Sequence, residues 1–516
     1  MTHWPIVPVL LPLVAAVVLL LLERRSRSLQ RVVSIMATLA GLLVAVRLLL
    51  LARGGACSVY HLGSWPSPFG IVLVVDRLSA VMVLLTGVVA LSSVLYAVAG
   101  ADNDRGHFHA LFHLQLAGLA GAFLTGDLFN LYVFFELLLI ASFCLLLQGV
   151  TGARLRAGLP YVVINVVGSL FFLVGIGIVF GVTGTLSMAD LSLRVAALPA
   201  ADAGLVRAGA LLLLVVFVLK AALVPLYFWL PRAYSAASAP VAALFAIMTK
   251  VGVYAIVRMY TLVFGAGAGV AADVALPWLL PLALATIVVG MLGAVASERL
   301  RDMQGYLLIG SLGIMLASIG LFTSEGIAAG LYYLVHSTIT IAAMFLLVDV
   351  IARQRGASDD RVIPALAVTQ PAVLGTLFFA GALAVAGLPP LSGFIGKLTI
   401  LQAAPLDARG FWLGGGVLGG SLLAIVALAR AGSTVFWNIE SDEHAPDDGQ
   451  YAPDGGHRAP SSVPGHDYRR ILPVIGLLGA VVLLTVFAEP AMTFATATAD
   501  QLLHPAPYVR AVLLGR

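Results

Sequence analysis

Glu136, Lys220, Lys250, His336 and Lys397 all stand in stretches otherwise apolar enough to lie in lipid. A charge at the centre of a bilayer costs at least about 3 kcal/mol on insertion scales, so each needs a partner or a task. Glu136 falls near the middle of LFNLYVFFELLLIASFCLLL and is the only charge from Leu128 to Val150. Lys220 is its best partner by depth, and a coupled pair of this kind can hold a proton on one member and release it when a neighbour changes charge. A static ion pair that locks two helices is the plainer reading of the same residues.

Lys250, in AIMTKVGVYAIVRMY, lies about ten residues, roughly 15 Å, from the nearer helix end, which is too far for its ammonium to snorkel out. A relay role suits it. Lys397 is nearer a chain break and within reach of an interface. His336, in LYYLVHSTITIAA, is followed by Ser337, Thr338 and Thr340, a hydroxyl-rich face able to hold water around a group that titrates near neutrality. A satisfied core histidine is the alternative there. The 29 basic residues divide into 26 arginines and only these three lysines. Arginine does not lose its proton in a protein, whereas desolvation readily frees a lysine of its own. The three lysines therefore mark positions where a proton carrier is wanted rather than a fixed charge.

The elements that must position these residues are membrane helices. The chain has 516 residues, 61% hydrophobic and 10% charged, with mean hydropathy +1.04. That is beyond what a soluble core absorbs, so the chain reads as an all-α polytopic membrane protein. The net charge of +4 would suggest nucleic acid in a soluble chain; here the arginines sit in short loops between apolar spans, and no nucleic-acid partner is expected. Fourteen spans are predicted, over residues 4–22, 31–52, 71–99, 108–125, 128–149, 159–182, 207–230, 239–263, 275–296, 304–323, 326–352, 370–403, 411–437 and 471–489. The first reads as a retained helix, not a signal peptide, because its apolar run is too long and its arginines, Arg24, Arg25 and Arg27, follow it. Placing the N-terminus outside puts 16 loop arginines inside and seven outside, so both termini are expected to be extracytoplasmic.

Prolines betray a repeat. The seventh predicted span is interrupted at Val224-Pro225 and the twelfth at Leu388-Pro389-Pro390, five spans later. Pro225 frees polar backbone next to Lys220, and Pro389 and Pro390 do so close to Lys397. Such backbone is tolerated at membrane depth only where it meets protein or water. A repeat of five helices is odd, so its two copies enter the membrane from opposite sides, a transporter signature. The expected organisation is residues 1–107 as three N-terminal helices, 108–263 and 264–437 as two inverted five-helix repeats, 438–470 as a polar cytoplasmic linker, and 471–516 as a final helix and tail. After Glu489 the chain is expected to end within a few polar turns.

Other features point to ordinary roles. Asp127 and Asp349 sit at helix ends, where capping or interface placement is the default. His107, His109 and His113 open the fourth span, as solvated interface residues or as an intake funnel. Cys57 and Cys144 have no metal-like spacing. The run from Gly265 to Gly269 imitates part of a dinucleotide loop but has no strand before it. No Walker motif, haem pair or iron–sulfur cysteine set is present. No cofactor is expected, and energy must come from an ion gradient or from partner subunits.

The run KAALVPLYFWLPRAYSAASAPVAALFAIMTKVGVYAIVRMY resembles the central signature of the antiporter-like subunits shared by respiratory complex I and the multisubunit Mrp cation/proton antiporters. The likeness extends over roughly residues 70–436. Within that superfamily TGDLFNLYVFFELLLIASFCLLL is similar to the D-type subunits of the Mrp group. The resemblance implies fourteen helices in two inverted five-helix repeats and an intramembrane polar axis for protons. On this sequence the axis residues are Glu136, Lys220, Lys250, His336 and Lys397. It also implies neighbouring membrane subunits, H+ and a monovalent cation such as Na+ as the ions moved, and a bacterial cytoplasmic membrane as the setting. One departure stands out: the tenth span, YLLIGSLGIMLASIG, carries no carboxylate to mirror Glu136. A single lateral axis is therefore favoured over two symmetric channels. A pumping subunit of a complex I-like quinone oxidoreductase is the competing expectation.

Overall fold

The computed structural model describes residues 3–22, 26–102, 106–149, 151–365, 367–438 and 468–514, the side chain of residue 153 excepted. Nearly all of the expected linker, together with Arg24, Arg25, Arg105, Arg458 and Arg516, lies outside them. The described chain is overwhelmingly helical. In order it forms α1 (Val7–Leu21), α2 (Arg27–Ala52), a small antiparallel hairpin β1–β2 (Ser58–His61, Val72–Val75), α3 (Arg77–Tyr96), α4 (Phe108–Leu124), α5 (Leu128–Leu147) and α6 (Gly152–Thr183). Then follow α7 (Met188–Ala196), α8 (Ala203–Lys220), α9 (Trp229–Ala236), α10 (Ala239–Leu262), α11 (Leu276–Ala296), α12 (Leu300–Ile319) and α13 (Ser324–Gln354). The last are α14 (Pro371–Ala386), α15 (Ser392–Gln402), α16 (Ala408–Phe436), α17 (Tyr468–Val486), α18 (Ala488–Leu503) and α19 (Ala506–Leu514).

Among the described residues twelve helices are long and apolar enough to cross a membrane by themselves, and two of the predicted spans fall on shorter apolar helices, α4 and α14. Polar residues fix where several begin. Asp76 caps α3 through a reciprocal capping box with Ser79, and Asp127 caps α5 by accepting from the Asn130 amide at 2.8 Å. The expected helical start at residue 71 gives way to β2: the run Val72-Leu73-Val74-Val75 is mostly β-branched, wholly buried, and pairs with β1, with Ser58 opposite Val75. The C-terminal expectation also changes. The Ala- and Thr-rich stretch after Glu489 forms α18, burying Ala495, Thr498, Ala499 and Leu502, and α19 follows it.

The five-helix repeat is visible in which helices touch. In the first copy α4 packs on α5, α5 on α6, α6 on α9, and α10 on α4 and α5. The second copy repeats this with α11 on α12, α12 on α13, α13 on α15, and α16 on α11 and α12. The predicted seventh and twelfth spans are each two half-helices, α8/α9 and α14/α15, parted at the expected prolines. The copies differ in placement. The apolar stretch of α10 is 100% buried and that of α13 94%, against 33% for α16. α10 is enclosed because it packs on α3 and α13 as well as on its own repeat. Lys250 and His336 thus lie inside protein, away from lipid.

Candidate functional site

α8 ends at Lys220 because the next residues cannot continue it. Ala222 takes a left-handed φ of 53°, and Pro225 contributes no amide hydrogen. The freed Val224 amide donates across the repeat boundary to Thr286 Oγ1 of α11 at 3.0 Å, so this exposed backbone meets protein as membrane depth requires. Lys220 Nζ donates to Asn165 Oδ1 of α6 at 3.3 Å and lies 5.7 Å above the ring of Phe135. A cavity of about 30 Å³ opens here, lined by Phe135, Tyr161, Asn165, Lys220, Trp229 and Met248 among others. That is room for a water or two, since a single water needs roughly 10–15 Å³.

Glu136 does not make the direct contact with Lys220 that depth suggested. Its Oε1 is buried without a hydrogen-bond partner, and Lys220 meets α5 at Phe135 instead. A static salt bridge locking α5 to α8 is therefore not what the carboxylate provides. Lys250 is still more isolated: it is 0% exposed and its Nζ has no partner. α8 comes directly against its helix. A Cβ on Gly252 would sit 2.5 Å from the Ala221 nitrogen and 2.8 Å from the Lys220 carbonyl carbon, so only glycine permits this backbone contact. Gln115 of α4 and Gln304 of α12, both on helices that pack against α10, are wholly buried too. Gln115 Oε1 and both polar atoms of the Gln304 amide are unpaired. Buried polar groups are ordinarily partnered, so these three side chains stand apart from the rest of the packed interior around α10.

In the second repeat His336 and Lys397 are both hydrogen-bonded. His336 bridges the two sides of the broken helix: Nε2 donates to the Ala384 carbonyl of α14 at 3.1 Å, and Nδ1 lies 2.8 Å from Ser392 Oγ of α15. Since a carbonyl only accepts, this ring carries its hydrogen on Nε2. Ser337, beside it, donates to Ser311 Oγ of α12 at 2.9 Å. Lys397 of α15 folds back over the break, its Nζ donating to the carbonyls of Val385 at 3.2 Å and Ala386 at 2.7 Å and to Ser421 Oγ of α16 at 2.9 Å. It passes Gly387, whose φ is 77° and where a Cβ would stand 2.6 Å from Lys397 Cδ.

Two of the expected helix-end groups do more than cap or face solvent. Asp349 is buried and bound by Tyr96 at 2.7 Å, Arg353 at 2.7 Å and Arg301 at 3.3 Å. His109 and His113 are buried rather than interfacial, with His109 3.1 Å from Asp102 and His113 3.1 Å from Ser34 Oγ. Burial alone would raise the Asp102 carboxyl, but hydrogen bonds from His109 and Arg31 outweigh it and hold the group at about 2. Sequence reasoning missed one buried charge pair altogether, Arg258 with Asp76. The available signal was an arginine eight residues beyond Lys250 in the same apolar run. Among the described residues no group of three His, Cys, Asp or Glu side chains is placed to hold a metal ion.

The helices that carry the five residues are joined through a chain of helix contacts. α5 packs on α6, α6 on α8, α8 on α10, α10 on α13 and α13 on α15. The sequence pattern of the NADH:quinone oxidoreductase/Mrp antiporter transmembrane family matches residues 125–422. The chain is 40% identical to a probable K(+)/H(+) antiporter subunit of the D type from Rhizobium meliloti, over 99% of this chain and 97% of that protein. It is 36% identical to the D-type Na(+)/H(+) antiporter subunit of Alkalihalophilus pseudofirmus, over 99% of this chain and 100% of that one. Among solved structures it superposes on a chain of the Mrp complex from Dietzia sp. with a TM-score of 0.87 at 29% identity, covering 99% of this chain and 100% of the other.

Proposed function

Because the chain belongs to the NADH:quinone oxidoreductase/Mrp antiporter transmembrane family, we propose that it is the D-type, proton-translocating subunit of a multisubunit monovalent cation/proton antiporter. The cation exchanged is Na+ or another monovalent cation. The observation that carries this reading is the match to D-type antiporter subunits along 99% of the chain, together with a lysine left unpaired in the most enclosed helix of the fold. The working partners are the other membrane subunits of such a complex, H+, the cation and the lipid bilayer. The chain performs no covalent chemistry of its own.

Protons pass along Glu136, Lys220, Lys250, His336 and Lys397. Glu136 collects on the α5 side, and Asn165 with the adjoining cavity gives Lys220 a hydrated neighbour. Lys250 receives the charge where α8 and α10 touch at Gly252. His336 and Lys397, sharing the final carbonyls of α14, form the far end. Residues 108–263 and 264–437 act as the two inverted units that frame this axis. The chain resides in a bacterial cytoplasmic membrane with both termini outside.

The second reading, a pumping subunit of a quinone oxidoreductase, shares the family pattern and would use the same residues. The two part company in a direct assay. The complex co-purified with this protein, reconstituted in vesicles without quinone or nicotinamide, is expected to exchange H+ for Na+, with K+, Li+ and Ca2+ compared. Proton movement that requires a quinone and a reductant, and no cation, supports the second reading instead.

A further inference from the structure

The polar face of α10 does not stop at Lys250. Tyr254 and Arg258 follow at intervals of four residues, which stacks the three side chains along about 12 Å of one helix face. The Tyr254 hydroxyl donates to the Phe123 carbonyl at the end of α4, at 2.7 Å, and accepts from Arg258 Nε at 3.3 Å. Arg258 then holds Asp76 with both terminal nitrogens, Nη1 at 2.6 Å from Oδ2 and Nη2 at 2.9 Å from Oδ1. Its guanidinium also lies against the rings of Tyr254 and Tyr508, with centroids 5.4 Å and 5.2 Å away. Both charges are buried, at 4% and 2% side-chain exposure.

Stability is a weak reason for such a pair, because a buried ion pair is often no better than apolar residues of the same shape. Its position suggests another use. Near it the other ionisable groups are Arg77, Cys57 and Tyr508. Burial pushes the Cys57 thiol up to about 11 and the Tyr508 phenol above its ordinary range, so both are uncharged at neutral pH. Burial alone would raise Asp76, but the Arg258 charge outweighs it and holds the carboxyl below the usual carboxylate range. The pair is thus a matched cation and anion at the hairpin end of the helix that carries Lys250. In the apolar mid-sections of the helices packed against α10, the carboxyl, amine and imidazole groups are Glu136, His113, Lys220 and His336, beside phenols that include Tyr132, Tyr306 and Tyr333 and the thiol of Cys144.

We propose that Asp76 and Arg258 are positioning residues for transport: they close the hairpin end of the α10 polar face and set the electrostatic potential in which Lys250 gains and loses its proton, with the Tyr254 hydroxyl, bonded to Arg258, standing between the pair and the lysine on that face. The inference rests on the relay reading of Lys250. While the pair is balanced, little net field reaches the lysine. Removing one partner exposes a unit charge about 12 Å away, worth about one pH unit at an effective dielectric of about 20. The sign depends on which partner goes.

The test is the pH profile of Na+-dependent proton movement by the whole complex in everted vesicles. Asp76→Asn leaves a bare cation, so the profile moves to lower pH by about one unit; Arg258→Gln leaves the carboxyl without its cation, so it moves to higher pH by a smaller amount, because burial then favours the neutral acid. The double variant returns the profile to its original position, and Arg258→Lys leaves it there. A purely structural pair would lower activity in all four without displacing the profile in opposite senses, and that result overturns the inference. So does failure of even Arg258→Lys to assemble. If Asp76→Asn alone does not assemble, the Arg258→Gln shift and its cancellation in the double variant decide. Lys250→Ala separates the two levels: retained antiport in that variant refutes the relay itself, whereas lost antiport with undisplaced profiles refutes only the role of the pair.

Discussion

The Nζ of Lys397 donates to the carbonyl oxygen of Ala386 at 2.7 Å, so the charged end of one half-helix closes the open end of the other. Lys220 reaches a comparable place by another route, standing in the last turn of α8 where that helix breaks. Both ammonium groups thus sit at the C-terminal, negative end of a first half-helix, where a cation is favoured. Neither ammonium depends on direct contact with a carboxylate: Lys220 donates to Asn165, and two backbone carbonyls and the Ser421 hydroxyl accept from Lys397.

Lys397→Ala is therefore expected to have two effects. It leaves buried acceptors unpaired, which costs about 1–3 kcal/mol and lowers the melting temperature of the purified complex. It also removes the far end of the axis, with antiport reduced by roughly 100-fold, the scale of a lost proton-transfer group. Lys397→Arg discriminates between them. Normal stability with lost antiport supports proton transfer at this position, while full activity would mean that capping α14 is all Lys397 does.

Gly252→Ala tests the contact between α8 and α10. The added methyl meets the Ala221 nitrogen at 2.5 Å and the Phe217 carbonyl oxygen at 2.8 Å, and neither is a flexible side-chain end. Backbone must shift, at about 1–3 kcal/mol, parting Lys220 from the helix of Lys250. Antiport should fall steeply while Glu136, Lys220 and Lys250 all remain present. Activity equal to the parent protein's would show that the relay does not pass this crossing.

Much of this site was legible in the sequence, for a definite reason. A lysine or carboxylate in an apolar span is costly enough to stand out one residue at a time, and proline breaks repeat at a fixed helix interval. What stayed hidden depends on partners far apart in the chain. Asp76 and Arg258 are separated by 182 positions, and the local sequence around neither one names its partner. Asp349 read the same way until Tyr96 and Arg301 closed on it. The β2 strand escaped because four apolar residues show no period that separates strand from helix. α18 escaped because its Ala- and Thr-rich face buries small side chains that carry little hydropathy signal.

Asp102 gives a stability prediction with a definite sign. Its folded-state pKa is depressed to about 2 from an ordinary 3.8, so its contribution is fully present above about pH 4 and is lost as pH falls through 2. Allowing for solvent screening, Asp102→Asn should destabilise the complex by about 1–2 kcal/mol at pH 7. Thermal melts of parent and variant should keep that gap from pH 7 down to about 4 and converge only below it. A gap that closes between pH 7 and 5 would mean that a histidine, not this carboxylate, controls the region.

The axis itself stands or falls on Glu136 and Lys220. Glu136→Gln and Lys220→Ala should each abolish Na+-dependent proton movement in everted vesicles, with the protein still assembled. Each removes a titrating group from the proposed path. Normal antiport in both variants would remove the axis from consideration. Lys220→Arg asks the sharper question. Arginine keeps the positive charge beside Asn165 but does not release a proton at any working pH, and its planar fork is larger than the ammonium bordering a cavity of about 30 Å³. Antiport reduced by roughly 100-fold with assembly intact is the result expected of a lysine that must deprotonate. If Lys220→Arg instead retains the parent's rate, the residue works as a fixed charge, and the proton must travel from Glu136 toward Lys250 along water in the cavity rather than through the lysine.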